Sequence, residues 1–369
     1  MELSGTHHAV SSGIRVARRR ALASAAGFAA VAIGIIGGCR GEPLEKKFEA
    51  TRRLMGVAWT ITAYAETKDR AEAAMASAFD EIARLERILS DYDPESELSR
   101  LSARSPVTAV VGDDLWKVLE RAVWFRDRSG GAFDPTVGPL TTLWRQTRRS
   151  GRLPDPAKLA AARAAVGPAT LQIDPGDRSV ELCQPGMRLD LGGIGMGHAV
   201  DAAMAVLARH GIRSAMIDSS GDIAVSSPPP GKRGWRIAID PLRGGRPRET
   251  DGSGGMGTTF VELVDAAITT SGDAFQAVEI DGARYSHIVD PRNGVGVFGP
   301  SAVTVIAADC TTADAAATAA SVLGPEAGTA FIEGLPGAAA RFQWVERGEP
   351  RVLPTGRWPG QPPRNAVEP

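Results

Sequence analysis

Hydrophobic and polar positions alternate in short runs along most of the chain, interrupted by a few longer stretches of helical period. Trp59, Ile61 and Ala63 face one way and Thr60, Thr62 and Tyr64 the other, which predicts a strand opening at Met55-Gly56. Met75, Phe79, Ile82, Leu85 and Leu89 recur at helical spacing and predict a helix over 68–90 with one core-facing stripe. Leu115, Leu119, Ala122 and Phe125 predict a second helix over 113–128, with Asp113 as its N-cap and Gly130-Gly131 as its stop. Residues 132–140 (AFDPTVGPL) predict a long loop, 155–166 an Ala-rich helix, and 169–173 and 178–183 two short strands. The run Asp190-Leu191-Gly192-Gly193-Ile194-Gly195-Met196-Gly197 predicts a glycine turn entering a helix at 197–210, and backbone N–H groups at such a turn can hold an anion.

Further strands are expected at 215–218, 235–240, 260–269, 276–281 and 302–308. Between them, 242–258 is rich in Gly, Arg and Ser and predicts a mobile insertion. A helix from Asp314 to about residue 323, ended by Gly324, is expected next, and a disordered Pro/Gly-rich tail after 349. No internal repeat and no steady β-α-β rhythm is present. The fold class is therefore α+β, with mixed, largely antiparallel sheets and packed helices, and residues 54–348 forming one body.

Composition changes this picture little. The 369 residues are 43% hydrophobic, ample for a packed core, and the formal net charge of −1 argues against a nucleic-acid partner. The N-terminus changes it more. RVARRR at 15–20, an apolar run over 21–38 and then Cys39 have the layout of an export signal. Ile36-Gly37-Gly38-Cys39 resembles a lipobox, which makes Cys39 the lipidation site, 1–38 a signal peptide and 39–53 a tether. The alternative is a retained membrane-spanning helix. Either way the body is expected outside the cytoplasm, facing the periplasm or cell exterior on a membrane anchor. Arg18-Arg19 or Arg19-Arg20 could serve a twin-arginine export route. Cys183 and Cys310 could pair in an oxidising compartment, but are better read as small buried hydrophobes.

Candidate chemistry gathers late in the chain. Residues 282–294 (GARYSHIVDPRNG) form a polar stretch holding Tyr285, Ser286, His287 and Asp290. Asp314 and Thr318 are four apart, so a helix stacks them on one face, where a carboxylate and a hydroxyl suit a hard cation such as Mg²⁺. On spacing alone, Asp314 reads first as a helix cap. His287 is equally a proton carrier or a structural histidine, and Asp134 and Asp190 sit in loops where carboxylates often fix turns. Neither a hydrolase elbow nor a Walker loop is present.

Taken in order, several stretches resemble the FAD:protein FMN transferase (ApbE) family over about residues 54–345. They are Met55-Gly56, LSDYDPESELSRL (89–101), GAFDPTVGPL (131–140), DLGGIGMGHAVD (190–201), Asp218–Ile223, TSGD (270–273), Tyr285–Gly294 and Ala313–Gly324. The resemblance implies an ApbE-like, T-fold-like architecture and Mg²⁺ held by Asp314, Thr318 and the Gly193 carbonyl. It implies FAD lying among Met55, Tyr92, Ala132, Phe133, Asp134, Asp190, Met196, Ile288 and Ala317. His287 matches the family's HxxDP histidine, with Asp290 beside it as the second catalytic residue. The family moves FMN from FAD onto a Thr or Ser hydroxyl of a partner protein and releases AMP. The alternatives are an FAD pyrophosphatase or a non-catalytic flavin-binding lipoprotein. The chain departs from the pattern at Met196, where the family usually has lysine, and at Gly192, Gly195 and His198. A protonated His198 would restore part of the missing charge.

Overall fold

The structure is a computed structural model that describes residues 45–240, 242, 258–272, 277–299 and 301–360. The signal segment, Cys39, nearly all of the 242–258 insertion, Asp273 and the last nine residues lie outside the described residues. Strand β1 (Lys46–Leu54) pairs antiparallel with β2 (Val57–Ala65) across the Met55-Gly56 turn, and α1 (Lys68–Leu89) and α2 (Glu97–Ser102) follow. Strand β3 (Val107–Val110) leads to α3 (Asp113–Arg128), α4 (Gly138–Ser150) and α5 (Pro156–Ala164). Next come β4 (Leu171–Asp174), β5 (Ser179–Leu182) and α6 (Gly195–Arg209). Strands β6 (Ala215–Ser219), β7 (Asp222–Val225), β8 (Trp235–Ile239), β9 (Thr259–Leu263) and β10 (Ala266–Gly272) follow. The chain continues through β11 (Ala277–Ile280), β12 (Ala283–Asp290), β13 (Val295–Phe298) and β14 (Ser301–Ala307) into α7 (Cys310–Glu333), then β15 (Ala339–Glu346) and β16 (Glu349–Pro354).

Eight strands form the main sheet in the order β1-β2-β6-β7-β10-β14-β15-β16. Every pairing among the described residues is antiparallel, which gives α+β with helices gathered on one face of the sheet. The core lies between that face and α1, α3, α6 and α7, and the stripes of α1 and α3 expected from their periodicity are all buried in it. Trp59, Ile61 and Ala63 of β2 are fully buried there. The β8-β9 ribbon covers the opposite face through Trp235, Ile237, Val261 and Leu263. Sheet β11-β12-β13 packs on α4, where Trp144 and Tyr285 stack at 5.3 Å.

Several expectations are corrected. Residues 46–53 are not a tether but belong to the edge strand β1, paired with β2 and packed on the core through Phe48 and Ala50. Residues 349–354 form β16, and Trp358 beyond it is buried, so a disordered tail does not begin at 349. The expected loop over 132–140 gives way at Gly138 to α4, with Pro139 in its first turn, where the missing N–H costs nothing. The N-cap of α3 is Gly112, and Asp113 lies inside the helix and pairs with Arg178. The polar stretch 282–294 is strand β12 and its turn rather than a loop. Helix α7 starts at Cys310, capped by the Asp309 side chain on the Thr312 N–H at 2.7 Å, and resumes after a break at Gly324-Pro325. Both Cys183 and Cys310 are free. No helix among the described residues is long and apolar enough to cross a membrane.

Candidate functional site

The glycine turn and the start of α7 meet closely. A Cβ on Gly197 would stand 2.4 Å from the Cys310 carbonyl oxygen and 2.9 Å from the Asp314 Cβ, so only glycine lets α6 come this near. A Cβ on Gly193 would stand 2.9 Å from Thr318 Oγ1, which places this residue against the Thr318 side chain. Asp201 of α6 fastens the contact by accepting from the Cys310 and Thr311 N–H groups, each at 2.8 Å, and from the Thr311 hydroxyl at 2.5 Å. Asp309 and Asp201 together satisfy the first turn of α7, so capping does not require Asp314.

Asp314 is 6% exposed and accepts one hydrogen bond, from the Gly197 N–H at 3.1 Å. Burial holds its carboxyl well above the ordinary range, and the nearby Asp222 and Asp201 carboxyls push the same way. Asp222 stands opposite Thr269 in the β7–β10 pairing. Burial raises its pKa to about 7, with Asp218 adding to the effect. The site thus contains buried carboxyls that few donors offset, a hydroxyl at Thr318 and the glycine turn. Among the described residues no three His, Cys, Asp or Glu side chains converge as a cage. Magnesium needs none, because it takes one or two carboxylates and keeps its remaining places for water and phosphate. An oxygen-only donor set around the buried Asp314, which accepts a single hydrogen bond, fits that ion.

A second cluster adjoins the same turn. Asp190 is buried, and its Oδ1 accepts from the Gly192 N–H at 2.8 Å. Its Oδ2 accepts from the Thr141 hydroxyl at 2.7 Å and from Arg145 at 3.2 Å. Arg145 also pairs with the buried Asp91 at 2.5 Å, and its guanidinium lies 4.2 Å from the centre of the Tyr92 ring. Burial raises the Asp91 carboxyl and the neighbouring Asp190 adds to this, while Arg145 opposes it. The structure therefore joins Tyr92 to Asp190 through Arg145, which sequence reasoning did not single out.

The remaining expected residues are placed differently. Met55 is half-buried at the β1–β2 turn with φ 48°, a left-handed conformation. Ala132, Phe133, Ile288 and Ala317 have buried side chains. Asp134 is engaged by its own turn, accepting from the Thr136 N–H at 2.8 Å and the Thr136 hydroxyl at 2.6 Å. It borders a cleft of about 780 Å³ lined also by Gly131, Arg163, Pro291 and Arg292. His287 is half-buried on β12, within the stretch where the register with β13 shifts between Tyr285 and Val289. The carboxylate of Asp290 binds the Arg292 guanidinium through both oxygens at 2.9 Å, and also receives the Arg292 N–H and the Asn293 amide. It holds the turn after β12 through these contacts. Met196 lies half-buried in the first turn of α6. Burial lowers the pKa of His198, opposed only in part by Asp114, so this residue is held toward its neutral form and does not replace a missing cation.

The Gly138-Pro139 start of α4 conceals Arg145 in the sequence, and Asp91 lies in a turn-rich loop. Asp222 follows a Ser-Ser-Gly turn, and its partner Thr269 is 47 residues away in sequence (269 − 222).

Known proteins are similar to this chain in sequence and fold. A model of the ApbE family matches residues 55–342. The FAD:protein FMN transferase of Treponema pallidum is 31% identical over 329 residues, covering 85% of this chain and 88% of that protein. The transferase of Vibrio cholerae is 34% identical over 249 residues, covering 66% and 72%. Among solved structures, the apo form of Pseudomonas stutzeri flavinyl transferase ApbE superposes with a TM-score of 0.74 at 30% identity, covering 85% of this chain and 95% of that one. The Vibrio cholerae flavin transferase ApbE gives 0.75 at 27% identity, covering 84% and 97%. With the family match spanning most of its length and its fold shared with these enzymes, the chain belongs to the ApbE family.

Proposed function

We propose that this chain transfers FMN from FAD to a Thr or Ser hydroxyl of an exported partner protein, with Mg²⁺ bound and AMP released. The observation that carries the reading is the meeting of buried Asp314, Thr318 and the glycine turn at the N-terminus of α6, next to the exposed ring of Tyr92. An oxygen site beside a helix N-terminus suits a pyrophosphate, and an exposed aromatic ring suits a flavin.

Asp314, Thr318 and the Gly193 backbone would hold the metal. Bound there, Mg²⁺ would neutralise the charge on the pyrophosphate during displacement at phosphorus. The residues of the chain do the rest. The glycine turn lets the pyrophosphate approach the backbone closely, and Asp190 fixes the shape of that turn through the Gly192 N–H. Tyr92 orients the isoalloxazine. His287 takes the proton of the incoming hydroxyl as its oxygen attacks phosphorus, and AMP leaves. Asp290 keeps the end of β12 in shape through Arg292. Ala132, Phe133 and Ala317 have their side chains in the core, so they shape the wall of the FAD site rather than reach into it.

The basic N-terminal segment, the apolar run and Cys39 support an exported, lipid-anchored protein facing the periplasm or cell exterior. Purified protein incubated with FAD, Mg²⁺ and an acceptor domain tests the activity. FMN fixed on the acceptor with AMP released is expected. Free FMN and AMP without acceptor would make the protein a pyrophosphatase instead, and unchanged bound FAD would make it a binding protein.

A further inference from the structure

Arg145 sits among groups that leave it little freedom. Its side chain is 19% exposed, and those of Asp91 and Asp190 are 7% and 8% exposed. Arg188 adds a second cation on Asp91, at 3.8 Å from its carboxylate and bonded to its backbone carbonyl. The Tyr92 ring, by contrast, is 73% exposed in the breaker-rich loop after α1, with the Arg145 guanidinium 4.2 Å from its centre. An exposed loop tyrosine left alone samples several rotamers and loses them on binding, whereas one backed by a fixed cation is ordered in advance.

We propose that Arg145 is the positioning residue of the flavin platform: it clamps Asp91 to Asp190 and backs the Tyr92 ring, so that the ring's open surface receives the isoalloxazine. This rests on the FAD reading given above. The same guanidinium ties the ring to the glycine turn, because the Asp190 that it binds also accepts the Gly192 N–H at 2.8 Å. One continuous set of contacts therefore sets the distance between the platform for the aromatic end of the ligand and the turn for its pyrophosphate. A lysine cannot reproduce this role. It is a point charge without the planar fork that binds two carboxylates while stacking on a ring.

The test uses the full protein and four variants, Arg145→Lys, Arg145→Gln, Tyr92→Ala and Arg145→Lys/Tyr92→Ala, with FAD and ADP as separate probes. Arg145→Lys keeps the charge between the buried acids and so protects the fold, which circular dichroism and melting check. Arg145→Lys and Tyr92→Ala are each expected to weaken FAD binding about tenfold, or about 1.4 kcal/mol. Both should reduce the quenching of flavin fluorescence on binding, and ADP affinity should stay within about twofold, because ADP carries no isoalloxazine. The double variant should bind FAD no worse than Tyr92→Ala alone. Arg145→Lys and Arg145→Gln binding FAD like the unaltered protein while Tyr92→Ala weakens it would overturn the proposal, as would additive losses or an equal loss for ADP. Tyr92→Ala binding FAD normally would overturn the platform but leave the transfer reading standing. Failure of the unaltered protein to bind FAD would overturn both.

Discussion

Replacing Asp222 with Asn should stabilise the metal-free protein, and increasingly so as the pH rises. Asp222 opens β7, lies opposite Thr269, and has its pKa raised to about 7 by burial first and by Asp218 second, against an ordinary value of 3.8. The unfolded chain gives up this proton near pH 4, while the folded chain keeps it to about pH 7. Between those limits the folded state binds more protons than the unfolded state, so stability falls as pH rises. At about 1.4 kcal/mol for each pH unit, the accumulated cost is about 1 kcal/mol at pH 4.5 and about 4 kcal/mol at pH 8. Asparagine has nearly the same shape, can still bond the Thr269 hydroxyl and carries no charge. Asp222→Asn should therefore gain about 3 kcal/mol more at pH 8 than at pH 4.5. At roughly 2 °C per kcal/mol for a chain of this size, that is about 6 °C of additional rise in Tm. Thermal melts of both proteins in chelator across pH 4.5 to 8 measure it. Parallel profiles of Tm against pH would refute the reasoning, because they would mean that Asp222 titrates alike in the folded and unfolded chains.

Other consequences can be checked with the same protein. Millimolar Mg²⁺ should raise Tm increasingly as the pH rises, because burial and the neighbouring carboxyls favour the protonated form of Asp314 and its proton competes with the metal, and Asp314→Asn should lose most of this response. Gly197→Ala should cost about 1 to 3 kcal/mol in a denaturant melt and lower transfer activity, since its methyl group would push on the Cys310 carbonyl and part α6 from α7. His287→Ala should abolish FMN transfer while FAD stays bound. Asp290→Asn should instead lower Tm by a few degrees and leave residual transfer, because its carboxylate organises the Arg292-Asn293 turn. Equal loss of transfer with no change in Tm would restore a catalytic role to Asp290.

What could be read from the sequence depended on whether burial or pairing makes each element. Helices α1 and α3 and strand β2 have one face in the core, so their periodic residues announce them. Strands β1 and β16 lie at the two edges of the main sheet, and neither has a fully buried side chain, KKFEATRRL and EPRVLP. Main-chain pairing completes them as strands, and in β1 the charged residues around Phe48, Ala50 and Leu54 mask the alternation. Helix α4 was obscured for another reason. Gly138 and Pro139 read as loop formers, yet Pro belongs in a first helical turn, and the buried Leu140, Trp144 and Thr147 keep helical spacing behind it. Recognising that proline would have brought Arg145 into view.

Asp314 shows why a site is harder to read than a helix. Its residue type and position near a helix start fit a cap as well as a ligand, and the spacing to Thr318 does not separate the two. The structure separates them by supplying other caps. Asp309 takes the Thr312 N–H, and Asp201, brought from α6 by a contact that only Gly197 permits, takes the N–H groups of Cys310 and Thr311. With those donors engaged, Asp314 gains one turn N–H bond from Gly197 and lies beside Asp222 and Asp201 in a place that burial makes costly for charge. A fold selected for stability alone would put an apolar side chain there, since a buried carboxyl with one donor lowers stability relative to a well-packed hydrophobe. A carboxyl so placed makes sense where the proposed cation is to be held, and its surroundings cannot be read from the sequence because Asp201, Asp222 and Asp314 come from α6, β7 and α7.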